Sequence, residues 1–329
     1  MARGSITIGI KPYEARARRP GAREGGRQVT PKWMLFTLFG EAFLAGGQAL
    51  SGEAIRQVLM AVGATSGAVR AALHRMVEAG WLRQEQVGAT RRYFATPRLL
   101  AVVEEGGQRI LAREQPTLPS GQWCMVVFAV PERRRDRRDR FRKELEWRGF
   151  GCLASGVWIS TRDQADHVRA LGRRLGVADH VHVIHAHLDH AEERRAVRTC
   201  WQLDALGARY AEFVARWAPR YRAYLADPFP SDRACFTEHF LLFNEYRWFP
   251  FADPGLRAEL LPADWPGKQA IALFEEYQGL LTPRAYAYLA GLLKEGDAAP
   301  TGSRQSREAA RKAGRTTPDA GAAPRGAGA

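Results

Sequence analysis

Residues 66–81, Ser66-Gly67-Ala68-Val69-Arg70-Ala71-Ala72-Leu73-His74-Arg75-Met76-Val77-Glu78-Ala79-Gly80-Trp81, constrain this chain more than any other stretch. Ser66 suits an N-cap, and Gly80 falls where a left-handed residue ends a helix. Between them Val69, Leu73, Met76 and Val77 recur at helical spacing, so one stripe is apolar and must be buried. The opposite side carries Gly67, Arg70, Ala71, His74 and Glu78, with Arg75 on its flank. Small and basic residues on one helical face allow close approach to a DNA groove.

The neighbouring segments supply what such a helix needs. Residues 51–60 read as a shorter helix opened by Ser51, and Val62-Gly63-Ala64-Thr65 is a tight connection into the next. Two helices joined by so short a turn form a helix-turn-helix, whose second member enters the major groove. After it, residues 81–87 and 91–95 read as two strands around Gly88-Ala89-Thr90, with Arg91 and Arg92 just past the tip. That hairpin is a wing whose arginines would lie against phosphates or in the minor groove. Before it, Thr30-Pro31 opens an apolar helix with Trp33, Leu35, Phe36, Leu38, Phe39 and Phe43, ending near Gly46-Gly47. The bland alternative for all of this is a small helical domain with a solvated basic face.

The chain of 329 residues is long enough for two or three domains. Its formal charge of +14 favours a polyanionic partner. More than half of that excess lies in residues 1–29 and 297–329, which are rich in Gly, Ala, Pro and Arg and lack apolar periodicity. Both ends are expected to be disordered. Cys124, Cys152, Cys200 and Cys235 are far apart with no C-x-x-C pair, which fits reduced thiols. No run approaches the ~18 apolar residues of a membrane helix, and no secretion signal is legible, so a cytoplasmic protein with no membrane partner is expected.

The expected class is α+β multidomain: an N-terminal winged helix-turn-helix, a central ferredoxin-like domain and a C-terminal helical domain. The expected boundaries are 1–29 disordered basic tail, 30–97 winged helix, 98–118 linker helix, 119–191 ferredoxin-like, 192–295 helical and 296–329 disordered tail. In the centre, residues 123–130 form an apolar strand stopped by Pro131, an arginine-rich helix follows over 132–147, and 153–160 is a second strand. A helix over 163–175 and a strand over 181–186 complete the strand-helix-strand-helix-strand order. Beyond residue 191 aromatic-rich helices are expected, the last pair over 268–281 and 283–293 on either side of Thr282.

These pieces together resemble the PaaX family of bacterial transcriptional regulators, named for repression of phenylacetate degradation. The resemblance rests on residues 35–41 (Leu35-Phe36-Thr37-Leu38-Phe39-Gly40-Glu41), 68–76 with Gly80-Trp81-Leu82, and 123–132. It continues through Gly149-Phe150-Gly151, Gly156-Val157-Trp158-Ile159, Asn244-Glu245-Tyr246-Arg247, Asp253-Pro254 and residues 260–267, and so spans nearly all of 30–293. It implies a middle domain like the small nuclease of CRISPR adaptation systems. It also implies a homodimer that binds a double-stranded operator of an aromatic-acid catabolic operon and leaves it when an aryl acyl-CoA such as phenylacetyl-CoA binds. Two departures are His74, where a small hydroxyl residue is usual, and Gly255-Leu256-Arg257 in place of a more proline-rich loop.

The expected DNA-binding residues are Ser66, Arg70, His74, Arg75, Arg91 and Arg92, with no catalytic or metal residue and no cofactor. A CoA ester needs cations for its phosphates and an apolar slot for its acyl group, and Trp158, Tyr246, Arg247, Trp265 and Lys268 are the candidates for that effector. Three alternatives stay open: the same architecture answering another aromatic acid, a metal sensor, or a nuclease in the central domain. The metal reading comes from His180, His182, His185, His187 and His190, which strand alternation divides between two faces. The nuclease reading lacks a carboxylate at the end of the first strand, Phe128-Ala129-Val130-Pro131-Glu132. The arginines from 133 to 142 alternate with Asp136 and Asp139, which fits a salt-bridged solvated helix.

Overall fold

The structure is a computed structural model, and it describes residues 30–47, 49–111 and 117–297; the two basic ends expected to be disordered lie outside the described residues. The first helix, α1 (Pro31–Leu44), is buried on almost every side from Met34 to Ala42, including Thr37, Gly40 and Glu41. A helix apolar all round has to lie at the centre of something. It packs against α2 (Gly52–Ala61), α3 (Ser66–Glu78) and α4 (Pro97–Leu111). A Cβ on Gly40 would stand 2.8 Å from Val103 Cγ1, so glycine there lets α4 lie close. The stretch expected to be a linker helix is a helix and also packs into this core, with Leu99 fully buried.

Local chemistry sets the ends of α2 and α3. Ser51 Oγ accepts from the Ala54 N–H at 3.0 Å and caps α2. The cap of α3 is Thr65, whose Oγ1 accepts from the Ala68 N–H at 3.3 Å, and Ser66 is the first helical residue. This corrects the assignment of Ser66 by one position. At the far end Gly80 adopts φ +69°, Trp81 N–H donates to the Met76 carbonyl at 2.9 Å and Gly80 N–H to Val77 at 3.0 Å. That pair of bonds is a Schellman stop, which requires the left-handed residue. Strands β2 (Leu82–Val87) and β3 (Thr90–Ala95) form an antiparallel hairpin. A three-residue strand, β1 (Ala49–Ser51), too short to show periodicity in sequence, pairs with β3 to give the order β1-β3-β2.

The central unit contains β4 (Gln122–Phe128), α5 (Arg135–Trp147), β5 (Gly151–Ala154), β6 (Val157–Ser160), α6 (Ala165–Leu175) and β7 (Val181–His187). The sheet is antiparallel in the order β5-β6-β4-β7. The single strand expected over 153–160 is a hairpin. Gly156 turns it at φ +75°, and a Cβ there would collide with the Phe128 carbonyl. The extra strand completes a βαββαβ unit. Strand β4 reads as a continuous apolar run because both its faces are covered. Cys124, Val126 and Phe128 pack with α5 and α6, while Trp123 meets residues of α7 (His190–Cys200) and the Leu256–Leu260 loop.

The remaining helices are α8 (Leu203–Ala226), α9 (Asp232–Tyr246), the short α10 (Phe249–Ala252) and α11 (Gly267–Asp297). The helix pair expected at the end is one continuous helix with Pro283 inside it. Proline costs ~3 kcal/mol in a helix interior, because the carbonyl one turn back loses its donor. Buried Leu281, Ala285, Leu289 and Leu292 on both sides of Pro283 outweigh that cost by packing into two cores at once. Phe236, Phe240, Leu289 and Leu292 share the core of α1, α2 and α3, so the C-terminal helices grip the N-terminal unit directly.

Candidate nucleic-acid interface

Helix α3 buries Val69, Ala72, Leu73 and Met76 and leaves Arg70, Ala71, His74 and Arg75 exposed. Strand alternation turns Arg91 and Tyr93 of β3 toward this exposed face, along with Gln84, which stands opposite Tyr93 in the hairpin register. Gly67, Arg70, Ala71, His74, Gln84, Arg91 and Tyr93 together border an open groove of about 440 Å³. Its cations come from both walls, Arg70 from the helix and Arg91 from the hairpin, and the His74 imidazole adds a second polar group on the helical side. Gly67 and Ala71 keep the helical wall low. His74 Nε2 lies 3.4 Å from Glu78 Oε1, the acidic group at the rim of this face. Arg75 sits on the same exposed side, outside the groove lining.

Arg92 is placed differently from Arg91. It belongs to the other face of the hairpin, paired in register with Ser51 and Glu85, and is only 9% exposed. A backbone-contacting pair of Arg91 and Arg92 is thus divided, because neighbours on a strand point to opposite faces. Gln84 and Tyr93 were missed from sequence. The signal was available in the two-residue period from Arg91 and in the cross-strand partner it implies.

The five effector candidates do not converge on one cavity among the described residues. Trp158 belongs to the central core and lines a separate cavity of about 240 Å³ with Phe150, Cys152, Cys200, Trp201 and Phe251. Tyr246 is buried and stacked on Phe274 at 3.6 Å, and its burial pushes the hydroxyl pKa far up. The Arg247 guanidinium lies 5.0 Å from the Trp33 ring of α1. Trp265 packs edge-on against Tyr210, and Lys268 is exposed in the first turn of α11. This corrects the grouping: close packing of aromatic side chains put Tyr246 into the helical core.

The histidines of β7 lie along an edge strand, with His182, His185 and His187 exposed and His185 Nε2 3.2 Å from Asp163 Oδ2. Among the described residues no group of three or more His, Cys, Asp or Glu is placed to hold a metal. The arginines of α5 are largely committed locally. Arg138 reaches Glu132 at 2.7 Å and Arg137 donates to the Gly176 carbonyl at 3.4 Å, as does Arg134, just before the helix, at 3.0 Å. Among the described residues no helix is long and apolar enough to cross a membrane.

Three family models cover most of the described chain. One described as a PaaX-like protein matches residues 30–97, the PaaX protein central Cas2-like domain matches 117–197, and the PaaX-like protein C-terminal domain matches 201–291. The chain is 28% identical over 262 residues to the transcriptional repressor PaaX of Escherichia coli (strain K12), covering 78% of this chain and 82% of that one. An uncharacterized protein from Mycobacterium tuberculosis shares the fold at a TM-score of 0.50 and 22% identity, over 79% of this chain and 98% of its own. With all three segments matched in order, this chain belongs to the PaaX family of transcriptional regulators.

Proposed function

We propose that this protein is a non-enzymatic, DNA-binding transcriptional repressor that reads duplex DNA through a winged helix-turn-helix. In this reading α2 and α3 form the helix-turn-helix, α3 lies in the major groove, and the β2-β3 hairpin is the wing. Arg70, His74 and Arg75 contact bases or the groove edge, Ser66 lies at the phosphate end of the helix, and Arg91 contacts the backbone. The observation that carries it is the groove bordered by Arg70 and His74 of α3 and Arg91 of the hairpin, with the small residues Gly67 and Ala71 along its helical wall. Phosphate attraction comes from the cations, and close approach from Gly67 and Ala71.

The finer reading is a homodimer that represses an aromatic-acid operon of the phenylacetate type and is released by an aryl acyl-CoA. Family membership supports it. The central sheet serves as scaffold in this reading, since β4 leads into Ala129, Val130 and Pro131 and the next carboxylate, Glu132, is engaged by Arg138. Gel retardation on the DNA upstream of the neighbouring operon, with and without phenylacetyl-CoA and other acyl-CoA esters, tests both layers. A retarded band released by an aryl ester is expected. Absence of any sequence-specific band would defeat the first layer, and a band indifferent to every ester would defeat the second.

A further inference from the structure

The seam between α1 and the C-terminal helices contains an acid and a base, neither of which has a counter-charge among the described residues. Thr37 Oγ1 donates to Asn244 Oδ1 of α9 at 3.0 Å, and Asn244 Nδ2 donates to the Phe240 carbonyl at 2.8 Å. One turn along α1, Glu41 is 4% exposed and receives the hydroxyl of Tyr286 from α11. His239 of α9 is 1% exposed, with its ring edge-on to that of Tyr286 at 6.1 Å between centroids. Glu41 Oε2 and both ring nitrogens of His239 have no hydrogen-bond partner among the described residues. The titratable group set against Glu41 is Tyr286 of α11, whose hydroxyl donates to it. Val103 closes the α4 side against Gly40. Among the described residues no lysine or arginine forms an ion pair with Glu41, and the histidine–carboxylate pairs are those of His74, His185 and His190, not of His239.

Burial without a counter-charge penalises the charged form, so it raises a carboxyl and lowers an imidazole. We propose that Glu41 and His239 act as a compensated acid–base pair that keeps the hold of the C-terminal helices on the N-terminal unit constant across mildly acidic pH. Apart, the two groups are a carboxylate and an imidazolium. Seating α1 against α9 and α11 releases one proton from the His239 imidazolium to solvent and takes one up from solvent on the Glu41 carboxylate. Both are then neutral, and no net proton is taken up.

The signs follow from each group alone. Burial pushes Glu41 from 4.5 up to about 7, so its neutral form favours the seam below the lower value, and this is lost as pH rises toward the upper one. Burial pushes His239 from 6.5 down to about 4, so its neutral form favours the seam above the upper value, and this is lost as pH falls toward the lower one. The two slopes are opposite and span nearly the same window. In the pair they cancel; in either single variant one slope is left exposed.

Thermal unfolding of the full chain at about pH 5, 6 and 7.5, bracketing the ordinary histidine value, tests this with wild type, Glu41→Gln, His239→Gln and the double variant. Relative to wild type, Glu41→Gln should lose several degrees of midpoint on acidification, and His239→Gln should lose several degrees as pH rises. The double variant should run parallel to wild type. Single-variant curves parallel to wild type at all three values would overturn the proposal. If His239→Gln does not fold, the Glu41→Gln curve alone decides. The bearing on DNA binding rests on α3 being the reading helix: duplex affinity of Glu41→Gln should then weaken on acidification more than that of wild type. Failure of every form to bind duplex would refute that reading and leave the unfolding result standing.

Discussion

Arg257, in the loop between α10 and α11, forms a buried ion pair with Glu193 of α7. Glu193 Oε1 also accepts from Gly121 N–H at 3.1 Å and Trp123 Nε1 at 3.0 Å. Arg257 Nη1 donates to the Gln122 carbonyl at 3.0 Å, and its guanidinium lies 5.2 Å from the Trp123 ring. The start of β4, the helix after the central sheet and the loop that covers the sheet's second face are thus tied at one point. Removing one partner leaves a buried charge uncompensated, at a cost of about 3–5 kcal/mol. Arg257→Ala should lower stability by that amount in urea unfolding. The Glu193→Ala and Arg257→Ala double variant should lose less than the sum of the singles, because the two side chains share their partners.

The one-residue correction at the start of α3 separates two neighbours. Thr65→Ala removes the cap and should cost about 1 kcal/mol, whereas Ser66→Ala should stay within about 0.5 kcal/mol. Equal losses in thermal unfolding for the two variants would contradict the cap assignment.

Arg91 and Arg92 are adjacent in sequence and opposite in space, so they should fail differently. Arg91→Ala should reduce the slope of log affinity against log salt by about one, with little change in stability. Arg92→Ala, at a largely buried position, should lower the unfolding midpoint and leave the salt slope nearly unchanged. Arg70→Ala and Arg75→Ala should each weaken specific operator binding by about 1–3 kcal/mol with the fold intact. Anisotropy titrations over a salt series distinguish these outcomes.

Gly156 holds the turn that converts one expected strand into two. Gly156→Ala meets the left-handed backbone cost of about 1–2 kcal/mol and also the Phe128 carbonyl of the neighbouring strand. Gly63→Ala is a control, with φ +92° and open space around its Cβ. Denaturant midpoints should show a larger loss for Gly156→Ala than for Gly63→Ala. Equal losses would mean that the backbone angle alone, without the contact, sets the cost.

The local elements were legible in sequence because their signals act over a few residues. The apolar stripe of α3, the Gly80 stop and the Arg91 hairpin depend on side-chain period and on one left-handed residue, and each occurs where it was read. The basic face of α3 follows from the same periodicity, since burying Val69 and Met76 leaves Arg70 and His74 outside.

Distance along the chain is what hid the rest. Periodicity says that a residue is buried, not which remote surface covers it. Tyr246 read as a ligand aromatic until Phe274 took its face, and α4 read as a linker until Val103 met Gly40. Pro283 signalled a break that burial on both sides overrode, and Glu41 met Tyr286 only because α11 folds back onto α1. Sequence alone determined most of the local elements and the charged face of α3, through short-range hydrogen bonding and helical and strand periods. Tertiary structure decided which faces meet, because burial energy is earned between segments some two hundred residues apart, as Thr37 and Asn244 are, 207 positions from each other.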